Sequence, residues 1–386
     1  MTRIEAHWLM DPHAQRVCSM LADAGHAAWF VGGCVRNALL DVPVTDLDIA
    51  TDARPERVME LAEAAGLKSV PTGIDHGTVT IVTDHHPFEV TTFRRDVATD
   101  GRRAVVAFSD DIADDARRRD FTMNALYAAS DGEVCDPLGG LPDLEQRRVR
   151  FIDDAEQRIR EDYLRILRFF RFHAWYGDAR QGLDADGLAA CAELAEGIGT
   201  LSRERVGQEM LKLLSAPDPA PAISAMEQSG VLHRVLPGAI AAPIAVLVHI
   251  EQQLGHTIDP IRRLALIGGE DVADRLRLSR AHRGRLDALC AAMGSDWSAS
   301  ELGYRLGGER GRDVVLLQSA MAGVTVDAAV LADVNRGAAQ VFPVRPADLM
   351  PHLSGPDLGA ALKQLEAKWI ASDFSLSREE LLKLDE

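Results

Sequence analysis

Two aspartates in the segment DLDIAT have the spacing of a paired carboxylate site. Asp46 and Asp48 are two residues apart on a predicted strand, so their side chains point to the same face of a sheet. Two like charges this close repel each other unless something neutralises them, and a divalent metal ion is the usual partner. The pair therefore predicts a metal site, with two solvated acids at a strand end as the alternative.

Further candidate groups lie on either side of this pair. Gly32 and Gly33, in FVGGCVRN, precede a predicted helix whose N-terminal N–H groups, helped by Arg36, suit a phosphate; a plain tight turn is the alternative. Glu89 lies on a predicted strand, PFEVTTF. If that strand pairs beside DLDI, three acids converge on one or two Mg²⁺ ions, as in phosphoryl-transfer sites. A solvent-facing Glu89 is the other possibility.

The elements that must position these groups form a mixed head. The segments TDLDIAT, GTVTIVT and PFEVTTF alternate like strands, the last two forming a hairpin through Asp84–Pro87. The segment RPERVMELAEAAG predicts a helix, as does DARRRDFTMNALYA after its first residues, and Arg95–Ser109 predicts a loop. From about Asp153 onward the pattern indicates helices separated by short Gly and Pro breaks.

Composition limits the class of protein. A chain of 386 residues predicts two to four domains. Its five scattered cysteines, with no C-x-x-C pair, and an N-terminus without an apolar signal segment favour a cytoplasmic protein. The net charge of −17 argues against a protein that coats nucleic acid indiscriminately. Arginine nevertheless gathers between Arg94 and Arg171, so a local basic groove is expected.

The segment EDYLRILRFFRF concentrates that basic charge on one predicted helix. Arg165, Arg168 and Arg171 recur every three residues and share one stripe, with apolar residues on the other face. Asp162 lies one turn before the first arginine, so the same helical face is expected to present both Asp162 and Arg165. The alternative is a helix whose arginines pair with acids elsewhere.

Five segments in this order resemble the class II tRNA nucleotidyltransferases, the CCA-adding enzymes of the polymerase-β-like superfamily. They are FVGGCVRNALLDVPVTDLDIAT, VPTGIDHGTVTIV, RRDFTMNALY, DPLGGLPDL and EDYLRILRFFRF. The segment LSRERVGQEMLKLL is similar to the neck helix of that family. One departure is Asn37, where the family usually has aspartate.

The resemblance implies an α+β fold with four parts. They are a small mixed-sheet nucleotidyltransferase head (1–145), then an all-helical neck (146–220), body (221–335) and tail (336–386), with body and tail binding tRNA. It implies that Asp46 and Asp48 bind Mg²⁺ as catalytic residues, and Glu89 is the candidate third catalytic acid through the strand pairing considered above. It also implies that Gly33 and Arg36 contact the incoming nucleotide, with Arg119 and Asp120 near its ribose and phosphates. Arg119 pairing only with nearby aspartates is the alternative.

The resemblance assigns base recognition to Asp162 and Arg165. A carboxylate only accepts hydrogen bonds and a guanidinium only donates them. Cytosine and adenine both present an amino donor beside a ring acceptor, so the pair satisfies both bases. Uracil and guanine would face acceptor against acceptor and donor against donor, at about 1–3 kcal/mol for each mismatched buried group. Arg168 and Arg171 would orient this pair or contact the nucleotide.

The predicted activity is the addition of CMP, CMP and AMP to the tRNA 3′ end, without a nucleic-acid template. The substrates are CTP, ATP and tRNA, the cofactor is Mg²⁺, and neither a membrane nor DNA is expected as a partner. A poly(A) polymerase and a CC-only-adding enzyme are the alternatives. The Gly-containing stretch Arg95–Ser109 favours the full CCA enzyme, and the acidic C-terminus disfavours the poly(A) polymerase.

Overall fold

The computed structural model describes residues 2–100, 103–350 and 353–383. Within them the fold consists of a mixed β-sheet near the N-terminus and a long succession of helices. The predicted fold class, a mixed-sheet head followed by helices, is confirmed. None of the described helices combines the length and apolar character needed to cross a membrane.

The strands of the described residues form a seven-stranded sheet in the order β3-β4-β5-β2-β1-β8-β9 and a separate two-stranded ribbon, β6-β7. Only β2 and β5 are parallel in the larger sheet; its other neighbours are antiparallel. The strands are β1 (Trp29–Val31), β2 (Asp48–Thr51), β3 (Lys68–Gly73), β4 (Thr78–Thr83), β5 (His86–Thr92), β6 (Arg94–Asp100), β7 (Arg103–Phe108), β8 (Tyr127–Ala128) and β9 (Val134–Cys135).

Helices accompany the sheet and then replace it. The first group is α1 (Pro12–Ala22), α2 (Gly33–Leu39), α3 (Pro55–Ala64), α4 (Ile112–Arg117), α5 (Leu141–Glu145), α6 (Ala155–Glu161), α7 (Leu164–Tyr176), α8 (Ala185–Glu193), α9 (Arg203–Leu214), α10 (Ala220–Gln228) and α11 (Val231–Val235). The second group is α12 (Ala242–Gln253), α13 (Pro260–Ile267), α14 (Val272–Arg275), α15 (Arg280–Met293), α16 (Ala299–Leu306), α17 (Gly308–Ala322), α18 (Ala328–Ala338), α19 (Pro346–Leu349), α20 (Gly355–Ala371) and α21 (Arg378–Lys383).

The chain divides into two compact units. The first contains the residues up to Ala239 together with Asp274–Arg277, and the second contains Ile240–Ala273 and the residues from Leu278 onward. In the first unit, one buried cluster joins the sheet to the chain that follows it through Val31, Ala50, Phe93, Ala116, Ala125, Tyr127 and Ile152. In the second, a cluster around Trp369 and Leu365 packs α19, α20 and α21 together. The finer division into head, neck, body and tail stays a prediction.

Local sequence explains the elements nearest the predicted site. Gly32 follows β1 with a φ of 72°, a left-handed conformation that favours glycine, and α2 begins at the next residue. The hairpin of β4 and β5 turns through Asp84 and His85, which both have positive φ, as expected for a two-residue turn matched to strand twist. The predicted helix after the two glycines and the predicted hairpin are therefore confirmed.

Two local predictions are wrong. The segment DARRRDFTMNALYA is not one helix, because α4 ends at Arg117 and a 3₁₀ turn, Thr122–Asn124, leads into β8. The predicted loop, Arg95–Ser109, is largely the antiparallel ribbon of β6 and β7. Residues 101 and 102 of that stretch lie outside the described residues.

Candidate active site

A cavity of about 380 Å³ lies in the first unit, between the strand–glycine–helix turn and α7. Eight of the eleven predicted site residues line it: Gly33, Arg36, Asp48, Arg119, Asp120, Asp162, Arg165 and Arg168. Asp46, Glu89 and Arg171 are not among the lining residues. The cavity therefore brings together predicted site residues from Gly33 to Arg168, which lie far apart in sequence.

Asp48 and Glu89 form the acidic edge of this site. They are direct partners in the register of the parallel strands β2 and β5, so both carboxylates lie on the same face of the sheet. Desolvation raises the pKa of Asp48, and the charges of Glu89 and Asp46 raise it further, while Arg119 lowers it. Asp46 is not on the strand as predicted, because β2 begins only at Asp48; its carboxylate accepts from the Thr45 hydroxyl at 2.9 Å.

These acids have the donor chemistry of a hard-cation site. Among the described residues, none of the three carboxylates has a partner at ion-pair distance, and the pKa of Asp48 stays raised although the charge of Arg119 opposes the repulsion. Carboxylate oxygens are the ligands that Mg²⁺ prefers. In the described part of the chain, no group of three or more His, Cys, Asp or Glu side chains is arranged to hold a metal ion. The donor set fits a divalent ion, although Asp46 is not yet gathered with the other two.

The turn after β1 brings Arg36 into the cavity. A Cβ added to Gly32 would lie 3.3 Å from Nη1 of Arg119, so the glycine lets the guanidinium of Arg119 lie close to this turn. Arg36 is buried, with 7% of its surface exposed, and this desolvation lowers the pKa of its guanidinium. Gly33, at the start of α2, lines the cavity beside it.

Arg119 is held by a buried carboxylate. Its Nη2 donates to Asp115 at 2.9 Å, and Arg118 donates to the other oxygen of Asp115 at 2.7 Å. Burial raises the pKa of Asp115, but these two guanidinium groups outweigh that effect and hold the pKa at about 2. Arg119 therefore pairs with a nearby aspartate, as the alternative expected, and also lines the cavity.

Asp120 connects the head segment to α7. Its Oδ2 accepts from Nε of Arg168 at 2.6 Å, and its Oδ1 accepts from Nδ2 of Asn124 at 2.8 Å. Burial alone raises the pKa of Asp120, but Arg168 and the Asn124 hydrogen bond lower it to about 2. The carboxylate is thus ionised, and it fixes Arg168 at the cavity wall.

Asp162 is not on the same helix as Arg165, which corrects the prediction of one continuous helical face. It lies in extended conformation (φ −155°, ψ 106°) between α6 and α7. Its Oδ1 accepts from the backbone N–H of Leu164 at 3.1 Å, and its Oδ2 accepts from Nη2 of Arg205, in α9, at 2.6 Å. Each carboxylate oxygen accepts one bond and has a second lone pair.

Arg165, in the first turn of α7, faces the same cavity. It donates to the Glu161 carboxylate and to the backbone carbonyls of Arg158, at 2.7 Å, and Arg118, at 3.2 Å. These three bonds leave two of the five guanidinium N–H donors for a ligand. Arg171 points elsewhere, since its Nε donates to Glu209 of α9.

The cavity also contains residues that the sequence reasoning did not name. These are Arg118, Asn124, Leu164, Phe172 and Arg205; Gly32, named above with the glycine turn, also lines the cavity. Arg118 and Asn124 lie within the segments already singled out, ARRRD and RRDFTMN, so their neighbours were the available signal. Arg205 is 43 residues from Asp162, and nothing local to either residue indicates their pairing.

Known protein families match two parts of the chain. The family described as "Poly A polymerase head domain" matches residues 28–150, which include the glycine turn and the acidic edge. The family described as "Probable RNA and SrmB- binding site of polymerase A" matches residues 183–242.

Full-length relatives extend this similarity. The mouse protein named CCA tRNA nucleotidyltransferase 1, mitochondrial, is 31% identical over 94% of this chain and 87% of its own length. The chain belongs to the CCA tRNA nucleotidyltransferase family. A CCA-adding enzyme of Streptococcus pyogenes is 42% identical over 54% of this chain and 51% of its own length. The crystal structure of Bacillus stearothermophilus CCA-adding enzyme in complex with CTP superposes with a TM-score of 0.70, at 26% identity, covering 97% of this chain and 98% of that one.

Family membership confirms the enzyme class predicted from the motifs: the chain is a nucleotidyltransferase that adds CCA to tRNA. Enzymes of this family generally use a divalent metal ion. This agrees with the acidic edge of Asp48 and Glu89.

Proposed function

We propose that this enzyme transfers CMP, CMP and then AMP from CTP and ATP to the 3′ end of tRNA, releasing pyrophosphate each time, with the cavity as its nucleotide site. One observation carries the proposal: a single cavity is lined by Asp48, by Arg36 and by the Asp162–Arg165 pair. Those groups supply a metal ligand, a phosphate-binding cation and a donor–acceptor edge for the base. A relative 26% identical is known in complex with CTP, which supports the choice of nucleotide.

The acidic edge would hold the metal ion. Asp46 and Asp48, with Glu89 as third acid, would hold Mg²⁺, which when bound neutralises triphosphate charge and lowers the pKa of the attacking hydroxyl. The raised pKa of Asp48 supports this role, since a cation would relieve the part of the shift that comes from the charges of Glu89 and Asp46.

The remaining residues would bind and orient the nucleotide. Arg36 and Gly33 would face the triphosphate, and Arg119 and Asp120 would lie near the ribose and phosphates; all four residues line the cavity. Asp120 is ionised and held by Arg168, so it accepts hydrogen bonds without first losing a proton. Arg171, bound to Glu209, would hold α7 against α9 and so orient the recognition groups indirectly.

Base recognition would use what Asp162 and Arg165 have left after their internal hydrogen bonds. Asp162 keeps a lone pair on each oxygen, and Arg165 keeps two N–H donors. This edge accepts from the amino group of cytosine or adenine and donates to the adjacent ring nitrogen. Against uracil or guanine the same edge is mismatched, and each mismatched group costs about 1–3 kcal/mol.

The test supplies the enzyme with a tRNA lacking its 3′ CCA, Mg²⁺ and each labelled nucleotide in turn. Addition that stops after C, C and A supports the proposal. A long A tail selects the poly(A) polymerase, and a stop after two Cs selects the CC-only enzyme. Omitting Mg²⁺, or supplying Mn²⁺ or Zn²⁺ instead, tests whether Mg²⁺ is the metal ion that the enzyme uses.

A cytoplasmic location stays part of the proposal, since the mouse relative is named as mitochondrial. Imaging of the tagged protein in its own cells tests the location.

A further inference from the structure

The six arginines that line the cavity differ in how their charge is balanced. Five form ion pairs: Arg118 and Arg119 with Asp115, Arg165 with Glu161, Arg168 with Asp120, and Arg205 with Asp162. Within the described residues, Arg36 has no carboxylate at ion-pair distance, although it is the most deeply buried of the six by whole-residue exposure. A buried charge without a counter-charge is costly unless polar groups solvate it.

Neutral oxygen atoms solvate Arg36. Its Nη1 donates to Oδ1 of Asn124 at 2.5 Å, and its Nε and Nη2 donate to Oδ1 of Asn37 at 3.2 and 2.9 Å. Its Nη2 also donates to the hydroxyl of Tyr176 at 2.9 Å, and the guanidinium carbon lies 4.1 Å from the centre of the Tyr176 ring. The oxygens and the aromatic face stabilise the cation without neutralising it. The charge of Asp120 acts on Arg36 but not at ion-pair distance, so an anion that enters the cavity meets a guanidinium that no contacting carboxylate neutralises.

Tyr176 and Arg165 lie at opposite ends of one helix. Tyr176 is the last residue of α7, the helix whose first turn carries Arg165. At 1.5 Å per residue, the eleven steps from Arg165 to Tyr176 span about 16 Å of helix. One end of α7 thus bears a base-recognition residue, and the other end anchors the cation proposed to bind the triphosphate.

We propose that Tyr176 is a positioning residue. It holds the guanidinium of Arg36 in place, with no carboxylate at ion-pair distance among the described residues, so that Arg36 can bind the triphosphate of the incoming nucleotide. This inference rests on the proposed function. Asn37 and Asn124 complete the neutral cage. Because Tyr176 acts on the triphosphate, which CTP and ATP share, it affects both nucleotides equally and leaves the choice of base to Asp162 and Arg165.

The decisive variant is Tyr176→Phe, which keeps the ring over Arg36 and removes only the hydroxyl that accepts from Nη2. We expect KM for CTP and for ATP to rise by about threefold to tenfold, with kcat within about twofold and the preference for CTP over UTP unchanged. Tyr304→Phe is the matched control: it removes a hydroxyl that donates to Glu366 in the other unit and should leave KM as it is.

A double-mutant cycle separates positioning from general damage to the fold. In an Arg36→Met background, Tyr176→Phe should have no further effect on the Kd of inorganic triphosphate measured by calorimetry. The inference is overturned if Tyr176→Phe leaves KM unchanged, if its effect persists undiminished in the Arg36→Met background, or if it alters base preference. If the parent protein adds no nucleotide to tRNA, the proposed function fails, whereas triphosphate binding still decides this inference.

Discussion

Asp48 and Glu89 face each other across the parallel strands β2 and β5, with their Cα positions in direct register. Burial and the charge of Glu89 both raise the pKa of Asp48. The acid pair therefore works against the stability of the metal-free protein. Active sites commonly retain such an arrangement for chemistry and not for folding.

Asp48→Asn should separate the contribution of the acid pair to catalysis from its effect on stability. We expect CMP transfer to fall by about a thousandfold or more, because the metal loses a ligand. The metal-free protein should become more stable by about 0.5 kcal/mol, since like charges on paired strands repel. CTP addition and urea unfolding in EDTA measure the two outcomes. Asp41→Asn, at an exposed residue with positive φ, is the control and should change neither. A less stable Asp48→Asn protein would contradict the repulsion.

Arg165→Ala should disable the addition of both C and A. The substitution removes the donors that meet the ring nitrogen of either base, so kcat/KM should fall by about a hundredfold or more for both nucleotides. Affinity for tRNA, measured by filter binding, should remain. Arg160→Ala is the matched control, because Arg160 pairs at the surface with Glu156 one turn earlier on α6. CTP addition at the parental rate would exclude Arg165 from base recognition.

Arg205→Ala should weaken discrimination between bases more than it weakens catalysis. Without Arg205, the Oδ2 atom of Asp162 loses its hydrogen-bond donor. Only the bond from the Leu164 N–H to Oδ1 then restricts the orientation of the carboxylate. We expect the preference for CTP over UTP to drop by about tenfold. Arg205→Lys should restore part of it. Unchanged preference, measured with both nucleotides in competition, would mean that Asp162 is held well enough without Arg205.

Acid should destabilise the first unit through Asp120. Its pKa is about 2 in the folded protein, below the ordinary 3.8, so the ionised carboxylate contributes stability that is fully present above about pH 4 and lost as the pH falls towards 2. The contribution is about 2 kcal/mol. The difference in unfolding free energy between the parent and Asp120→Asn should therefore narrow between pH 5 and pH 3. If this difference in unfolding free energy stays constant with pH, the lowered pKa of Asp120 does not stabilise the folded protein. Asp110→Asn, which breaks a surface pair with Arg54, serves as the control.

Glu251 should be essential for the second unit and irrelevant to nucleotide choice. Its two oxygens accept from Arg262 and Arg263 at 2.6 and 2.7 Å, and all three residues are at most 2% exposed. Glu251→Ala should cost about 3–5 kcal/mol, because it leaves buried arginines without this counter-charge. Glu301→Ala, which breaks an i,i+4 pair with Arg305, should cost under about 1 kcal/mol. Neither substitution should change the Kd of CTP, and a change would show that the second unit affects the cavity.

The chemistry of the site was more predictable than its geometry. Strand alternation predicts which face of its strand carries Glu89 and the turn predicts the hairpin, but the parallel pairing that puts Glu89 beside Asp48 stayed a conditional expectation until the structure showed it. The sequence does not predict the break at Asp162. The regular spacing of Arg165, Arg168 and Arg171 predicts a helix that includes Asp162, whereas α7 begins at Leu164. The signal was there: an aspartate before a helix satisfies its first N–H groups, as Asp162 does for Leu164.

The partners of the arginines could not be predicted. Arg168 and Arg171 pair with acids 48 and 38 residues away, as the alternative expected, and of the two only Arg168 lines the cavity. Which acid meets which arginine depends on how α7 packs against α9 and the segment after α4. No local pattern contains that information, since tertiary packing decides it. Asn37, a departure from the family pattern, became interpretable only when its oxygen was seen to accept from Arg36.

The pairing of five cavity arginines with carboxylates has a dynamic consequence. A guanidinium held by a carboxylate has already lost much of its rotamer freedom, so less entropy remains to be lost when a nucleotide binds. These side chains are ordered once, during folding, and not again at each of the three additions. If the cavity is the nucleotide site, its ordered lining would take the place of a template strand, which would otherwise present a fixed surface to the incoming nucleotide.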